Sequence, residues 1–142
     1  MTVTFFGHRD APQEVKAVLE TVLSDLIEHH AAERFYVGSQ GRFDRIVSKT
    51  LIILKNRYPH IDCAIVLAYM PDEKLHEEID TIVPERIELT HPKYAISKRN
   101  QWMLEQSDIV ITYVTHTVGG AAKFKELAVK KGKSIIELSD FM

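Results

Sequence analysis

The sequence predicts an α/β protein in which a parallel sheet is covered by helices on both faces. Five short runs rich in β-branched and aromatic residues alternate with four segments whose apolar residues recur at helical spacing. The run at 109–114 is apolar almost throughout, which is typical of a parallel strand buried on both faces. Alternating strands and helices favour a doubly wound sheet. We therefore expect one domain over 1–142, with five strands in the order 3-2-1-4-5.

The elements follow one another without a repeat or a low-complexity linker. The predicted strands cover 2–6, 34–37, 61–69, 109–114 and 134–138. The predicted helices start near Pro12, near Phe43, at Tyr94 and after Gly120, and they end near His30, before Pro59, at Gln106 and near Lys131.

The segment 70–92 breaks this alternation. It holds three prolines (Pro71, Pro84 and Pro92) and a cluster of charges, with a candidate short strand at 87–89. Connections this long in a small domain are usually lids, binding loops or disordered segments. We expect it to be the least rigid part of the fold and a candidate lid over a ligand.

Composition excludes several classes of function. The 142 residues carry 18 basic and 20 acidic side chains, so we expect no broad nucleic-acid surface. No apolar run is long enough for a membrane span, and the first residues do not resemble a signal peptide. The single cysteine, Cys63, lies in an apolar run and fits a core position in a reducing cytoplasm. We expect a cytoplasmic protein, and the sequence leaves a homo-oligomer open.

Three glycine-bearing turns follow predicted strands. In the predicted sheet their strands end at one edge, where strand order reverses and ligands of such folds bind. The turn at Gly119 also opens a helix, whose N-terminal amides and dipole suit a phosphate or carboxylate. We expect one crevice lined by Gly7, His8, Arg9, Gly38, Ser39, Gln40, Gly41, Gly119, Gly120 and Ala121.

Two further side chains are predicted at the same edge, in the second turn of the third helix. Arg99 and Asn100 share a side with Ile96 and Met103, and a guanidinium can clamp a phosphate in bidentate fashion. The alternative is that Arg99 belongs to a solvated basic run.

Other polar residues near the turns have two interpretations each. Arg9 could bind a ligand or pair with a neighbouring carboxylate. His8 could donate to a phosphate or act as an acid or base, although a loop histidine is more often only a hydrogen-bonding group. Ser39 and Gln40 offer a hydroxyl and an amide. Asp44 could cap the following helix or contact a ribose.

Metal and nucleophile chemistry are not predicted. The seven histidines show no ligand spacing, and 38–41 lacks the spacing of a nucleophile elbow. We expect no metal and no cofactor.

Together these motifs resemble the SLOG superfamily of Rossmann-like nucleotide-binding domains, which includes the DprA/Smf proteins and the LOG phosphoribohydrolases. The chain is most similar to the small, single-domain, YpsA-like branch. The resemblance covers most of the chain and is carried by Phe5-Phe6-Gly7-His8-Arg9, by Lys98-Arg99-Asn100 with Met103 before Ser107-Asp108, by Gly119-Gly120-Ala121, and by Lys131-Gly132-Lys133.

The resemblance implies two alternative functions. The first is the binding or sensing of a nucleotide or a nucleotide-derived ligand such as ADP-ribose. The second is LOG-like hydrolysis of the N-glycosidic bond of a nucleoside 5'-monophosphate, in which Arg99 and Glu126 match the catalytic arginine and glutamate by spacing. The enzymes carry P-G-G-x-G-T-x-x-E at this turn. This chain departs from the residues of these enzymes at Val118, Ala122, Lys123 and Asn100, and these departures favour binding over hydrolysis.

Overall fold

The computed structural model describes residues 1–69 and 79–142, which form one parallel sheet with helices packed against it. The strands are β1 (Thr2–Gly7), β2 (Arg34–Val37), β3 (Asp62–Val66), β4 (Asp80–Ile82), β5 (Ile109–Tyr113) and β6 (Ser134–Glu137). The helices are α1 (Val15–His29), α2 (Gly41–Arg57), α3 (Pro92–Gln106) and α4 (Gly120–Lys130).

The sheet has the order β4-β3-β2-β1-β5-β6, and every pair of neighbours is parallel. The predicted class and the relative order of the five predicted strands are confirmed. The predicted number of strands is wrong, because Asp80–Ile82 adds a sixth strand that pairs with the end of β3. Three residues are too few to show a period-two pattern, so this edge strand could not be recognised from the sequence.

The described part of the predicted connection is more ordered than its composition indicates. Its candidate strand at 87–89 is instead a turn of 3₁₀-helix, in which the N–H of Thr90 donates to the carbonyl of Ile87 at 3.0 Å. Ile79 and Ile87 are buried. Residues 70–78, the rest of the predicted lid, lie outside the described residues.

Each face of the sheet has its own hydrophobic core. Val3 and Phe5 of β1 pack with α1 and α2 on one face. Phe6, which points the other way, stacks on Phe124 of α4 with ring centroids 5.3 Å apart and shares its core with α3. Full burial of each such side chain contributes about 1.5–3 kcal/mol. Because successive side chains of β1 point to opposite faces of the sheet, the residues at its end also alternate between the two faces.

The helices begin and end for local reasons. α3 starts at Pro92, which fits the first helical position, and the ring of His91 accepts a hydrogen bond from the N–H of Lys93 at 3.1 Å. α4 ends before Gly132, which has a φ of 74° and caps the helix as predicted. Within the described ranges, no helix combines the length and apolar character needed to cross a membrane.

Candidate ligand-binding crevice

A crevice of about 280 Å³ opens at the carboxyl ends of the strands, between β1 and β5, where strand order reverses. Nine residues predicted from the sequence line it: Gly7, His8, Arg9, Gln40, Arg99, Asn100, Gly119, Gly120 and Ala121. Four turns and helix ends that are distant in sequence therefore meet at one place.

Three other predicted residues lie close by without lining the crevice. Ser39 is exposed on the turn after β2. Gly41 packs against the backbone of Arg9, and the N–H of Arg42 donates to the Arg9 carbonyl at 2.9 Å. This contact holds the turn after β1 to the start of α2. Gly38 lies behind the crevice.

A side chain at Gly38 would clash with two charged groups of the crevice. A Cβ atom there would lie 2.8 Å from Oδ2 of Asp44 and 2.9 Å from Cζ of Arg99. The missing side chain lets a carboxylate from α2 and a guanidinium from α3 approach each other over the end of β2. Both groups line the crevice, and we call the part of the lining that Asp44 and Arg99 form its floor.

The Arg99 side chain is only 2% exposed, which is unusual for an arginine. Its Nη1 donates to the Val66 carbonyl at 3.0 Å, and its Nε donates to Oδ1 of Asn100 at 2.7 Å. Among the described residues, no carboxylate lies within salt-bridge distance of the guanidinium, and Nη2 has no hydrogen-bond partner. Burial lowers the pKa of Arg99, and the charge of Asp44 partly offsets this. The sequence-based alternative of a solvated basic run does not hold for Arg99.

Asp44 caps the start of α2, which is one of the two roles that the sequence left open, and its contact with a ribose stays a prediction. Its Oδ2 accepts a hydrogen bond from the N–H of Gln40 at 2.9 Å, at the start of α2. The same side chain also lines the crevice. Burial raises its pKa to about 6, against the opposing effects of the Gln40 N–H and the charges of Arg99 and Arg9. Such a raised carboxyl pKa in a cleft is a frequent mark of a functional site.

The N-terminus of α4 forms the wall opposite α3. Gly119 precedes the helix with a φ of 104°, a conformation that glycine adopts at little cost, and no side chain caps the helix. Its first amides therefore lack intrahelical partners. A Cβ atom placed on Gly119 or Gly120 would meet nothing within 4 Å, so the chain is not closely packed beside these two residues.

Apolar side chains complete the lining. Phe6, Ile96, Met103 and Val118 all contact the crevice, and Val118 is 72% exposed. The sequence indicated that Ile96 and Met103 share a side with Arg99, but not that they border a cavity. Periodicity identifies an inward face and cannot distinguish a core from a cleft wall.

The structure does not bring Glu126 to the crevice. This residue lies on an exposed side of α4, where it forms an ion pair with Lys130 at 3.5 Å and both side chains are 70% exposed. It is absent from the crevice lining, whereas Arg99 is in it. The pair suggested by spacing in the LOG-like motif is thus not assembled in one site.

His8 connects the turn after β1 to the turn before α4. Its Nε2 accepts a hydrogen bond from the N–H of Thr115 at 3.0 Å, and the ring of His116 stacks on it with centroids 3.6 Å apart. Burial and His116 lower the pKa of His8, while Asp10 and Glu137 oppose the shift. The sequence analysis did not single out His116.

This sequence matches no protein-family model and no curated protein. Within 1–69 and 79–142, no group of three or more histidine, cysteine, aspartate or glutamate residues is arranged to hold a metal ion. The fold and the crevice define an α/β domain with a cleft at its topological switch point.

Proposed function

We propose that this domain binds a nucleotide or a nucleotide-derived ligand in the crevice between β1 and β5. The observation that carries the proposal is the convergence on one cleft of a buried guanidinium, whose Nη2 has no partner among the described residues, and an uncapped helix N-terminus. Arg99 supplies the guanidinium, and Gly119 to Ala121 supply the amides. Both features favour an anion, and a phosphate uses both.

The cleft offers more than an anion site. Asp44 places a hydrogen-bond acceptor beside Arg99, which reduces the net positive charge of the floor. A neutral polar group with hydroxyls, such as a ribose, fits this pair better than a second phosphate does. Phe6, Ile96 and Met103 provide an apolar wall against which a base could pack.

Size limits what can be enclosed. A volume of about 280 Å³ lies just below the range for small-molecule sites, about 300–1,000 Å³. This supports a mononucleotide as the enclosed unit. A longer ligand such as ADP-ribose would extend part of its length outside.

A second candidate function is LOG-like hydrolysis of the N-glycosidic bond of a nucleoside monophosphate. One observation favours it: the crevice contains a carboxyl, Asp44, whose pKa of about 6 suits acid–base work near neutral pH. Glu126 is not part of the cleft lining and pairs with Lys130 on an exposed side of α4. If base release is detected, we expect Asp44→Asn to abolish it and Glu126→Gln to leave it unchanged.

Calorimetric titration with AMP, adenosine and inorganic phosphate tests the binding proposal. We expect AMP to bind more tightly than adenosine, because only AMP brings an anion to the α4 N-terminus. Arg9→Gln and Arg99→Lys should each weaken AMP binding by about 1.5–3 kcal/mol, the range for a hydrogen bond to a charged group. Lysine keeps the charge of Arg99 but loses its planar fork.

The matched control is Arg34→Gln. Arg34 is also exposed but begins β2, at the opposite edge of the sheet, so its replacement should not change the affinity. Equal affinity for AMP and adenosine, or an equal loss in Arg34→Gln, would contradict the proposal. UMP and GMP in the same series would show whether the base contributes.

A further inference from the structure

His8 makes contacts that its neighbours in the crevice do not make. Its backbone N–H donates to the Tyr113 carbonyl at 3.2 Å, which extends the β1–β5 pairing by one residue. Its ring is 7% exposed and receives the Thr115 N–H on Nε2. The His116 ring lies parallel to it, with an interplanar angle of 5°. One imidazole thus contacts two successive residues of the turn that leads into α4.

That turn determines where the α4 N-terminus lies. It runs from Val114 to Gly119, and its N–H groups at Val114 and Thr115 are fixed by Glu137 and His8 respectively. Thr117, Val118 and Gly119 beyond them are exposed. Among residues 1–69 and 79–142, the His8 contacts are the last hydrogen bond and stack that hold the turn before the amides that border the crevice.

The Thr115 hydrogen bond requires a neutral His8. An imidazole accepts a hydrogen bond on Nε2 only when its proton is on Nδ1, whereas an imidazolium donates from both nitrogens and accepts none. Stacking would also place a charged ring face to face with His116, and two charged rings at this distance repel each other. Protonation would therefore break the Thr115 hydrogen bond and weaken the stack together.

We propose that His8 is a positioning residue that holds the 114–119 turn, and with it the anion-binding end of α4, and that its protonation releases this turn and lowers ligand affinity. The inference rests on the proposed function, because it concerns regulation of the same cleft. His8 acts through the turn and need not touch the ligand.

The groups around His8 shift the pKa of its ring in both directions. Asp10, on the turn after β1, and Glu137, at the end of β6, favour the protonated ring. Glu137 is already paired with Lys125 of α4 at 2.8 Å. Burial and His116 favour the neutral ring and prevail, so the pKa of His8 lies below its ordinary value of 6.5.

The first test needs no ligand. The amide resonance of Thr115 is followed by NMR from about pH 8 to about pH 5, alongside the ring resonances of all histidines. We expect the Thr115 amide to move with the titration of the His8 ring. In His8→Gln the side-chain amide oxygen can still accept the hydrogen bond but does not titrate, so the movement should vanish. A Thr115 resonance that still titrates in His8→Gln would overturn the proposal.

The second test measures affinity for ADP-ribose, whose pyrophosphate keeps its charge over this pH range. We expect the wild-type affinity to fall at least about fivefold on acidification, a typical size for coupling between sites. His8→Gln should lose this fall in affinity on acidification, and His8→Leu should bind weakly at every pH. His29→Gln, a change on an exposed histidine of α1, is the control.

The two proposals fail in different ways. If ADP-ribose and AMP do not bind at all, the proposed function fails while the Thr115 titration still decides the role of His8. If the ligand binds but His8→Gln retains the wild-type pH dependence, the positioning role is refuted and the titrating group lies elsewhere, with Asp44 the next candidate.

Discussion

At the scale of single residues, the floor of the crevice holds charged groups in an environment that disfavours charge. Asp44 shows this most clearly, since burial raises its pKa from 3.8 to about 6. Between these values the folded protein binds more protons than the unfolded chain does. Stability contributed by this residue therefore declines as pH rises through that window.

We predict that Asp44→Asn stabilises the protein near neutral pH by about 1–2 kcal/mol, a value reduced from the full shift because the side chain is partly exposed. Asparagine has no charge to bury and can still accept the Gln40 hydrogen bond. Urea unfolding at about pH 7.5 and about pH 3.5 measures the effect. The gain should disappear at the lower pH, and an equal gain at both would show that burial of the charge is not its cause.

A second prediction at this scale concerns Gly38. Gly38→Ala would force a methyl group between Asp44 and Arg99, so it should lower stability by about 1–3 kcal/mol and weaken AMP binding as well. Gly120→Ala is the control for stability, because a Cβ atom there meets nothing within 4 Å. Thermal unfolding of both variants tests this, and a Gly38→Ala protein as stable as the wild type would contradict the packing described.

Residue identity predicted the crevice only partly. Glycine turns and Arg99 were recognisable because glycine and arginine have specific roles at strand ends. Asp44 was assigned no single role, since a carboxylate in the first turn of a helix is also an ordinary cap. Glu126 was included from motif spacing, but its position on α4 turns it to solvent. Spacing along a helix alone does not determine which side faces a cleft.

At the scale of elements, Glu137 joins the last strand to its neighbours. Its carboxylate accepts hydrogen bonds from Thr112 of β5 at 2.7 Å, from Lys125 of α4 at 2.8 Å and from Ser139 in the turn that follows β6. Burial by itself raises the pKa of Glu137, but these hydrogen bonds outweigh it and hold the pKa below 4.5. The Glu137 carboxylate therefore links α4 and β6 to β5 through hydrogen bonds.

We predict that Glu137→Gln lowers stability at neutral pH by about 2–3 kcal/mol, because the amide leaves Lys125 unpaired and cannot accept from every donor. Wild-type protein should lose this contribution as pH falls below 4.5, where the unfolded chain takes up a proton that the folded one does not. Denaturant unfolding of Glu137→Gln beside Glu105→Gln measures it. Glu105 is exposed on α3, so its replacement should change little.

The helices and strands also show which parts of the fold could be predicted from the sequence and which could not. β2 matches its predicted bounds of 34–37, and α4 and its cap were placed closely, because a strong apolar pattern ended at a clear stop signal. β4 was missed, since a three-residue edge strand is stabilised by pairing with β3 rather than by its own pattern. Such pairing depends on tertiary structure.

At the scale of the whole molecule, the doubly wound sheet is what brings the crevice together. β1 lies between β2 and β5, with α1 and α2 on one face and α3 and α4 on the other. Because parallel strands end at one edge, the turns after β1, β2 and β5 converge there although they are separated by many residues. The predicted strand order was sufficient to anticipate this convergence from the sequence.

The central claim is that the switch point between β1 and β5 binds a nucleotide, and an NMR titration of isotope-labelled protein with AMP tests it most directly. The account predicts that the largest shifts occur at Gly7 to Arg9, at Gly119 to Ala121 and at the side-chain Nε of Arg99. Shifts concentrated at the amino ends of the strands or along α1, or no saturable shifts at all, would contradict it.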